Sequence, residues 1–149
     1  IMCKYTKILL ILLTLTSLNA QSIKDTRYEN VKIDEVTSIY DGDTFRVNIN
    51  SYPDIVGKRM SIRVNGIDTP EMKGKCELEN LLARKAKEQT VFMLRGAKVI
   101  ELRNIKRDKY FRLVADVFVD DVNLSQILID SKLAVHYDGG TKTKDWCEK

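Results

Sequence analysis

Apolar residues occupy every second position in two stretches of this chain: Phe45, Val47 and Ile49, then Met60, Ile62 and Val64. A period of two places such residues on one face of a β-strand, and Arg59, Ser61 and Arg63 then fall on the other face. The stretch VKIDEVTSI, from Val31, reads as a strand leading into the DGDT turn, and SYPD forms a second turn around Pro53. The pattern then changes. In CELENLLARKAKEQTVFMLRG (76–96), Leu78, Leu82, Ala86 and Met93, with Leu81 beside them, form a helical stripe. Gly96 stands where a helix C-cap belongs. Strands at 97–104 and 113–120 flank a basic stretch. A short helix at 123–131 has Asn123 or Asp121 to cap it, and KLAVHY adds a last strand. Three strands, a helix, two strands and a helix provide too few helices for a doubly wound sheet. The expected class is mainly β with helices (α+β), built as a small closed β-barrel with two or three helices.

Length and composition agree with one domain. The chain has 149 residues, of which 44% are hydrophobic and 31% charged, values of a globular protein with a single core. The first twenty residues stand apart. A short basic stretch, the apolar run ILLILLTLTSL (8–18) and Ala20 in NAQS have the layout of a secretory signal peptide. The run falls short of the roughly 20 apolar residues that span a bilayer. Residues 1–20 are therefore expected to be removed, 21–30 to be a flexible polar segment, and 31–149 to be the domain. The protein is expected to be secreted or periplasmic, a monomer by default, with no stable membrane association after cleavage.

Cleavage would remove Lys4 and Lys7 and lower the net charge from +4 to +2, too little to specify a partner. Distribution says more. RNIKRDKYFR (103–112) holds Arg103, Lys106, Arg107, Lys109 and Arg112 against Asp108 alone, a cluster suited to a polyanion or, equally, to a solvated hairpin. Cleavage would also leave Cys76 and Cys147 as an even pair in an oxidising compartment, and a disulfide is expected between them. One histidine and two cysteines fall short of a zinc site.

The acids carry the chemistry. Asp41, Asp43, Asp68 and Glu71 all lie at strand edges, and carboxylates brought close together need a cation or must protonate. Oxygen ligands suit Ca²⁺ or Mg²⁺. DGDT is not an EF-hand loop, because Arg46 and Tyr52 stand where that loop needs Gly and Glu. By itself DGDT reads as a simple turn. Arg63 and Arg112 add permanent cations that grip phosphate with two hydrogen bonds. A metal to polarise a phosphoryl oxygen, a carboxylate to activate water and arginines to stabilise the transition state are the requirements of displacement at phosphorus. With His136 the only histidine, two-histidine ribonuclease chemistry is excluded.

DGDT, then RVNGIDTPE, then RDKYFR, with a helix between the second and third, resembles the staphylococcal nuclease (thermonuclease) family from about Val31 to Val135. The resemblance implies an OB-fold-type five-stranded β-barrel and Ca²⁺-dependent cleavage of DNA and RNA to 3′-phosphate ends. It implies Asp43 and Asp68 as carboxylate ligands of Ca²⁺, the Thr69 carbonyl as a further ligand and Asp41 as an acidic neighbour. Glu71 matches the proposed general base, and Arg63 and Arg112 the arginines that hold the scissile phosphate. Lys109 and Tyr110 match positions that contact a terminal phosphate of a bound nucleotide.

The sequence departs from that family in two places. Phe111 stands where the staphylococcal enzyme has Gly, and the tail HYDGGTKTKDWCEK replaces a long C-terminal helix, with Tyr137 loosely placed as the aromatic near the nucleotide. Two other readings remain open. One is a non-catalytic OB-type module that binds nucleic acid through a basic groove and aromatics. The other is a PD…ExK nuclease using Pro53, Asp54, Glu71 and Lys73, although that pattern wants its ExK on a strand.

Overall fold

The computed structural model describes residues 28–148. The expected signal peptide, 1–20, and most of the segment 21–30 lie outside them; Tyr28, at its end, bridges to Ile105. Among the described residues no helix is long and apolar enough to cross a membrane.

The strand expected from VKIDEVTSI is two, β1 (Val31–Lys32) and β2 (Glu35–Ile39). They are followed by β3 (Thr44–Asn48), α1 (Asp54–Gly57), β4 (Met60–Val64) and β5 (Ile67–Asp68). Then come α2 (Glu77–Gly96), β6 (Ile100–Arg107), β7 (Leu113–Val119), β8 (Val122–Asn123), α3 (Leu124–Asp130) and β9 (Val135–His136). The main sheet runs β1-β6-β7-β4-β3-β2, with β8 added to β7. Val31 pairs with Leu102 in β6, whereas Val36, five residues on, pairs with Val47 in β3. One chain segment thus supplies both ends of the strand order, and the sheet curls on itself in the OB manner. Counted as one, β1 and β2 complete the five expected strands. Register shifts between Val36 and Ser38 and between Arg103 and Lys106 mark bulges, which bend strands and sharpen the curl.

Inward-facing alternate residues fill the interior. Phe45, Val47, Ile62, Val64, Leu102 and Val117 are each no more than 1% exposed. Leu124 and Leu128 of α3 join the same core, and Asn123 Oδ1 accepts the Ser125 N–H at 2.8 Å, so Asn123 is the cap.

Three local expectations need correction. The SYPD turn runs directly into the helical turn α1. Gly96 is the last residue of α2, with Ala97 capping. The buried residues of α2 are Glu79, Ala83, Ala86, Thr90 and Leu94; of the expected stripe only Ala86 is among them, and Leu81 is 43% exposed. Small residues won because α2 lies close against the DGDT turn, where large side chains do not fit. Leu82 and Met93 only edge the core.

Candidate active site

The site sits at one end of the curled sheet, and strand directions explain why. β3 and β4 are antiparallel neighbours with Thr44 opposite Arg63, so the residues just before β3 meet the residues at the end of β4. The Val64 N–H donates to the Asp43 carbonyl at 2.8 Å. β4 then turns through Asn65 and Gly66, whose φ of +78° suits glycine, into β5 and Asp68. Val114 of β7 is in register with Arg63 across the parallel β4–β7 pair. Arg112, two residues before Val114, therefore emerges on the same side of the sheet as Arg63.

Each DGDT residue has a separate task. Asp41 Oδ1 accepts the backbone N–H of Asp43 at 3.1 Å and of Thr44 at 2.7 Å, closing the turn. Gly42 is required by space: a Cβ there would lie 2.8 Å from Ala86 Cβ and 2.9 Å from Thr69 Cγ2. The buried Thr90 hydroxyl donates to the Gly42 carbonyl at 2.7 Å, pinning the turn to α2. Asp43 Oδ2 accepts from the Thr69 N–H at 3.0 Å and the Thr69 hydroxyl at 2.9 Å, and Thr44 donates its hydroxyl to Asp43 Oδ1.

Asp41, Asp43, Asp68 and Thr69 are all buried. Arg63 lies between them, with Nη1 paired to Asp43, Nη2 3.4 Å from Asp68 Oδ1 and Nη2 donating to the Ile67 carbonyl at 3.1 Å. Burial lowers the Arg63 pKa; the charges of Asp68 and Asp41 oppose that fall. Burial also pushes the Asp41 carboxyl above its ordinary value, against the Thr44 hydrogen bonds and the charge of Arg63, and the nearby charge of Glu71 adds to the rise.

Glu71 is at the exposed rim, and its loop is tied down by a residue the sequence reading missed. Glu79, 7% exposed on α2, accepts the Lys75 N–H at 2.7 Å and the Glu71 N–H at 3.4 Å. Its place in a helical stripe of small residues is the only hint, since an acid between leucines reads as solvent-facing. Lys142 was missed too: its Nζ lies 2.5 Å from Glu71 Oε1 and 2.8 Å from Asp68 Oδ1. Burial would lower the Lys142 pKa, but these two carboxylates outweigh it and hold it above its ordinary value.

Beside the acids opens a cavity of about 720 Å³, lined by Arg63, Lys106, Arg107, Lys109, Tyr110 and Arg112 among others. Tyr137 lines it as well. Its wall is the β6–β7 loop, organised by Asp108, whose Oδ1 accepts the Tyr110 and Arg112 N–H groups at 2.9 and 3.0 Å and whose Oδ2 accepts Arg112 Nε at 2.8 Å. The basic cluster divides here. Arg103 points elsewhere, paired with Glu101 and Asp121 and stacked 3.9 Å from the Phe118 ring centroid. Phe111 has φ of +62°, in the left-handed region where glycine rests without strain, and its ring lies 4.1 Å from the Arg107 guanidinium. His136 is exposed on β9.

The staphylococcal nuclease homologue family model matches residues 61–147, more than half of the chain. The chain belongs to that family. As a staphylococcal nuclease homologue it has a nuclease or nucleic-acid-binding function. Nucleases of this family are typically Ca²⁺-dependent. No curated protein matches the chain. The PD…ExK pattern loses its footing: Pro53 and Asp54 start a helical turn, and residues 71–73 form a loop, not a strand.

Proposed function

We propose that this staphylococcal nuclease homologue is a secreted, Ca²⁺-dependent endonuclease that hydrolyses phosphodiester bonds of DNA and RNA to 3′-phosphate ends. The observation that carries the proposal is the placement of Arg63, which contacts Asp43 and Asp68 on one side and lines the cavity shared with Arg112 on the other.

The donor set fits a hard divalent cation. Four carboxylates, of Asp41, Asp43, Asp68 and Glu71, face the cations of Arg63 and Lys142, a surplus of two negative charges. Asp43 and Asp68 would hold Ca²⁺, with the Thr69 carbonyl adding an oxygen and Asp41 supporting from behind. Bound there, the cation would polarise a phosphoryl oxygen and stabilise the charge that develops on it.

Within the chain the tasks divide by position. Glu71, on the rim, takes the proton from the attacking water. Arg63 and Arg112 hold the scissile phosphate and offset the charge of its transition state. Lys109 and Tyr110, at the mouth of the cavity, bind a neighbouring phosphate. Tyr137 offers a ring to an unpaired base.

The test uses residues 21–149 with single-stranded DNA in Ca²⁺, in Mg²⁺ and in chelator, with product ends typed. Cleavage in Ca²⁺ alone, leaving 3′-phosphates, is expected. Arg63→Ala and Glu71→Ala should each lower kcat/KM by about a hundredfold or more. Salt-sensitive DNA binding with no cleavage would leave the non-catalytic binding module standing instead.

A further inference from the structure

The C-terminal tail does not hang free of the site. It leaves β9 beside Asp68, since β9 pairs with β5 and the Tyr137 N–H donates to the Gly66 carbonyl at 2.9 Å. Its first residues, Asp138 to Gly140, border the basic cavity. It then crosses the acids and ends at a second anchor, where Trp146 is 7% exposed and Cys147 reaches Cys76 at the start of α2. Between the two anchors the segment is exposed, and it meets the acids through the Lys142 ammonium, seated between Asp68 and Glu71 at 2.8 and 2.5 Å.

Anchoring at both ends keeps that ammonium at a high effective concentration over the carboxylates. Lys142 holds one of the two Asp68 carboxylate oxygens, Oδ1, and a divalent cation bound through Asp68 would draw on the same carboxylate charge. The two cations repel and share a ligand, so they compete. Lys142 is 45% exposed on its side chain, so water is available to receive it when it is displaced.

We propose that Lys142 is a further active-site residue, a tethered cation that competes with the divalent ion for Asp68 and Glu71 and so sets the affinity of the site. The inference rests on the cation site proposed above. While Lys142 is in place it also holds Glu71 Oε1; a bound metal would displace the ammonium and free that oxygen. The tail is thus a built-in brake on the site at low divalent-ion concentration.

Isothermal titration calorimetry with CaCl₂ tests it directly, on the full domain, without substrate and at low ionic strength. Lys142→Ala is expected to bind Ca²⁺ about five- to tenfold more tightly than the wild type, the scale of two partly exposed ion pairs together. Lys142→Arg, which keeps the charge, is expected to stay within about twofold of the wild type. Equal or weaker binding by Lys142→Ala would overturn the role of Lys142 and leave the metal site intact. No Ca²⁺ binding by any of the three proteins would overturn both.

Discussion

At the scale of the residue, small differences in volume and conformation decide whether the acids meet. Gly42 is needed for close approach: a methyl there would press on Ala86 Cβ and Thr69 Cγ2. Gly42→Ala should therefore destabilise the fold by about 1–3 kcal/mol through overpacking, and Ala86→Gly in the same protein should restore part of it. Thermal unfolding of the single and double variants measures both; an unchanged melting temperature for Gly42→Ala would contradict the contact. D-G was legible as a turn, but not as a turn wedged beneath a helix, because the partner residue lies far along the chain. Phe111 is the opposite case. Its departure from glycine was visible only through the family resemblance, and φ of +62° shows what it costs. A non-glycine residue in that region is strained by roughly 1–2 kcal/mol, partly offset by the stacking of Arg107.

At the scale of the element, one end of α2 and the β6–β7 loop fix the positions of Glu71 and Arg112. Glu79→Ala would leave the Lys75 and Glu71 N–H groups without their partner and should cost about 1–3 kcal/mol. It should also lower the cleavage rate by loosening Glu71, so a rate loss that persists well below the melting temperature is expected. Asp108 organises the other loop. Burial raises its pKa, but hydrogen bonds from the Arg112 backbone and side chain and from the Tyr110 backbone outweigh burial and hold it below 3.8. A lowered carboxyl pKa stabilises the fold fully above 3.8 and loses that contribution as pH falls through the lower folded value. Acid titration of stability should thus show a loss in the wild type that Asp108→Asn lacks. Element types and order were legible, since periods of 2 and 3.6 survive in the sequence. Of the buried face of α2 only Ala86 was, because leucines outweigh alanines in any hydrophobic pattern, whereas the packing against the DGDT turn favours the alanines.

At the scale of the whole molecule, the C-terminal tail is fastened to the rest of the domain. The sulfurs of Cys76 and Cys147 lie at bonding distance, with Cα atoms 6.0 Å apart, and tie the tail to the start of α2. Reduction of the pair or Cys147→Ser should lower stability by roughly 2–4 kcal/mol. An unchanged melting temperature on reduction would show that the tail is held by Trp146 and Lys142 alone. The exposed cations of the cavity act at this scale too. DNA affinity should fall steeply with salt, and Lys109→Ala should flatten that dependence by about one unit of slope, measured by fluorescence anisotropy at several salt concentrations.

The sequence by itself determined the kinds of element, their order, and the groups available for chemistry: carboxylates, two arginines and a basic loop. These are local properties, written in periodicity and residue type. Only the tertiary structure decided which of them meet. Strand pairing set Asp43 against Arg63, parallel register set Arg112 on the same side, α2 closed over Gly42, and a doubly anchored tail brought Lys142 onto Asp68 and Glu71. Each is a contact between segments distant in sequence. No local pattern encodes such contacts, because each depends on a backbone path that exists only once the core has formed.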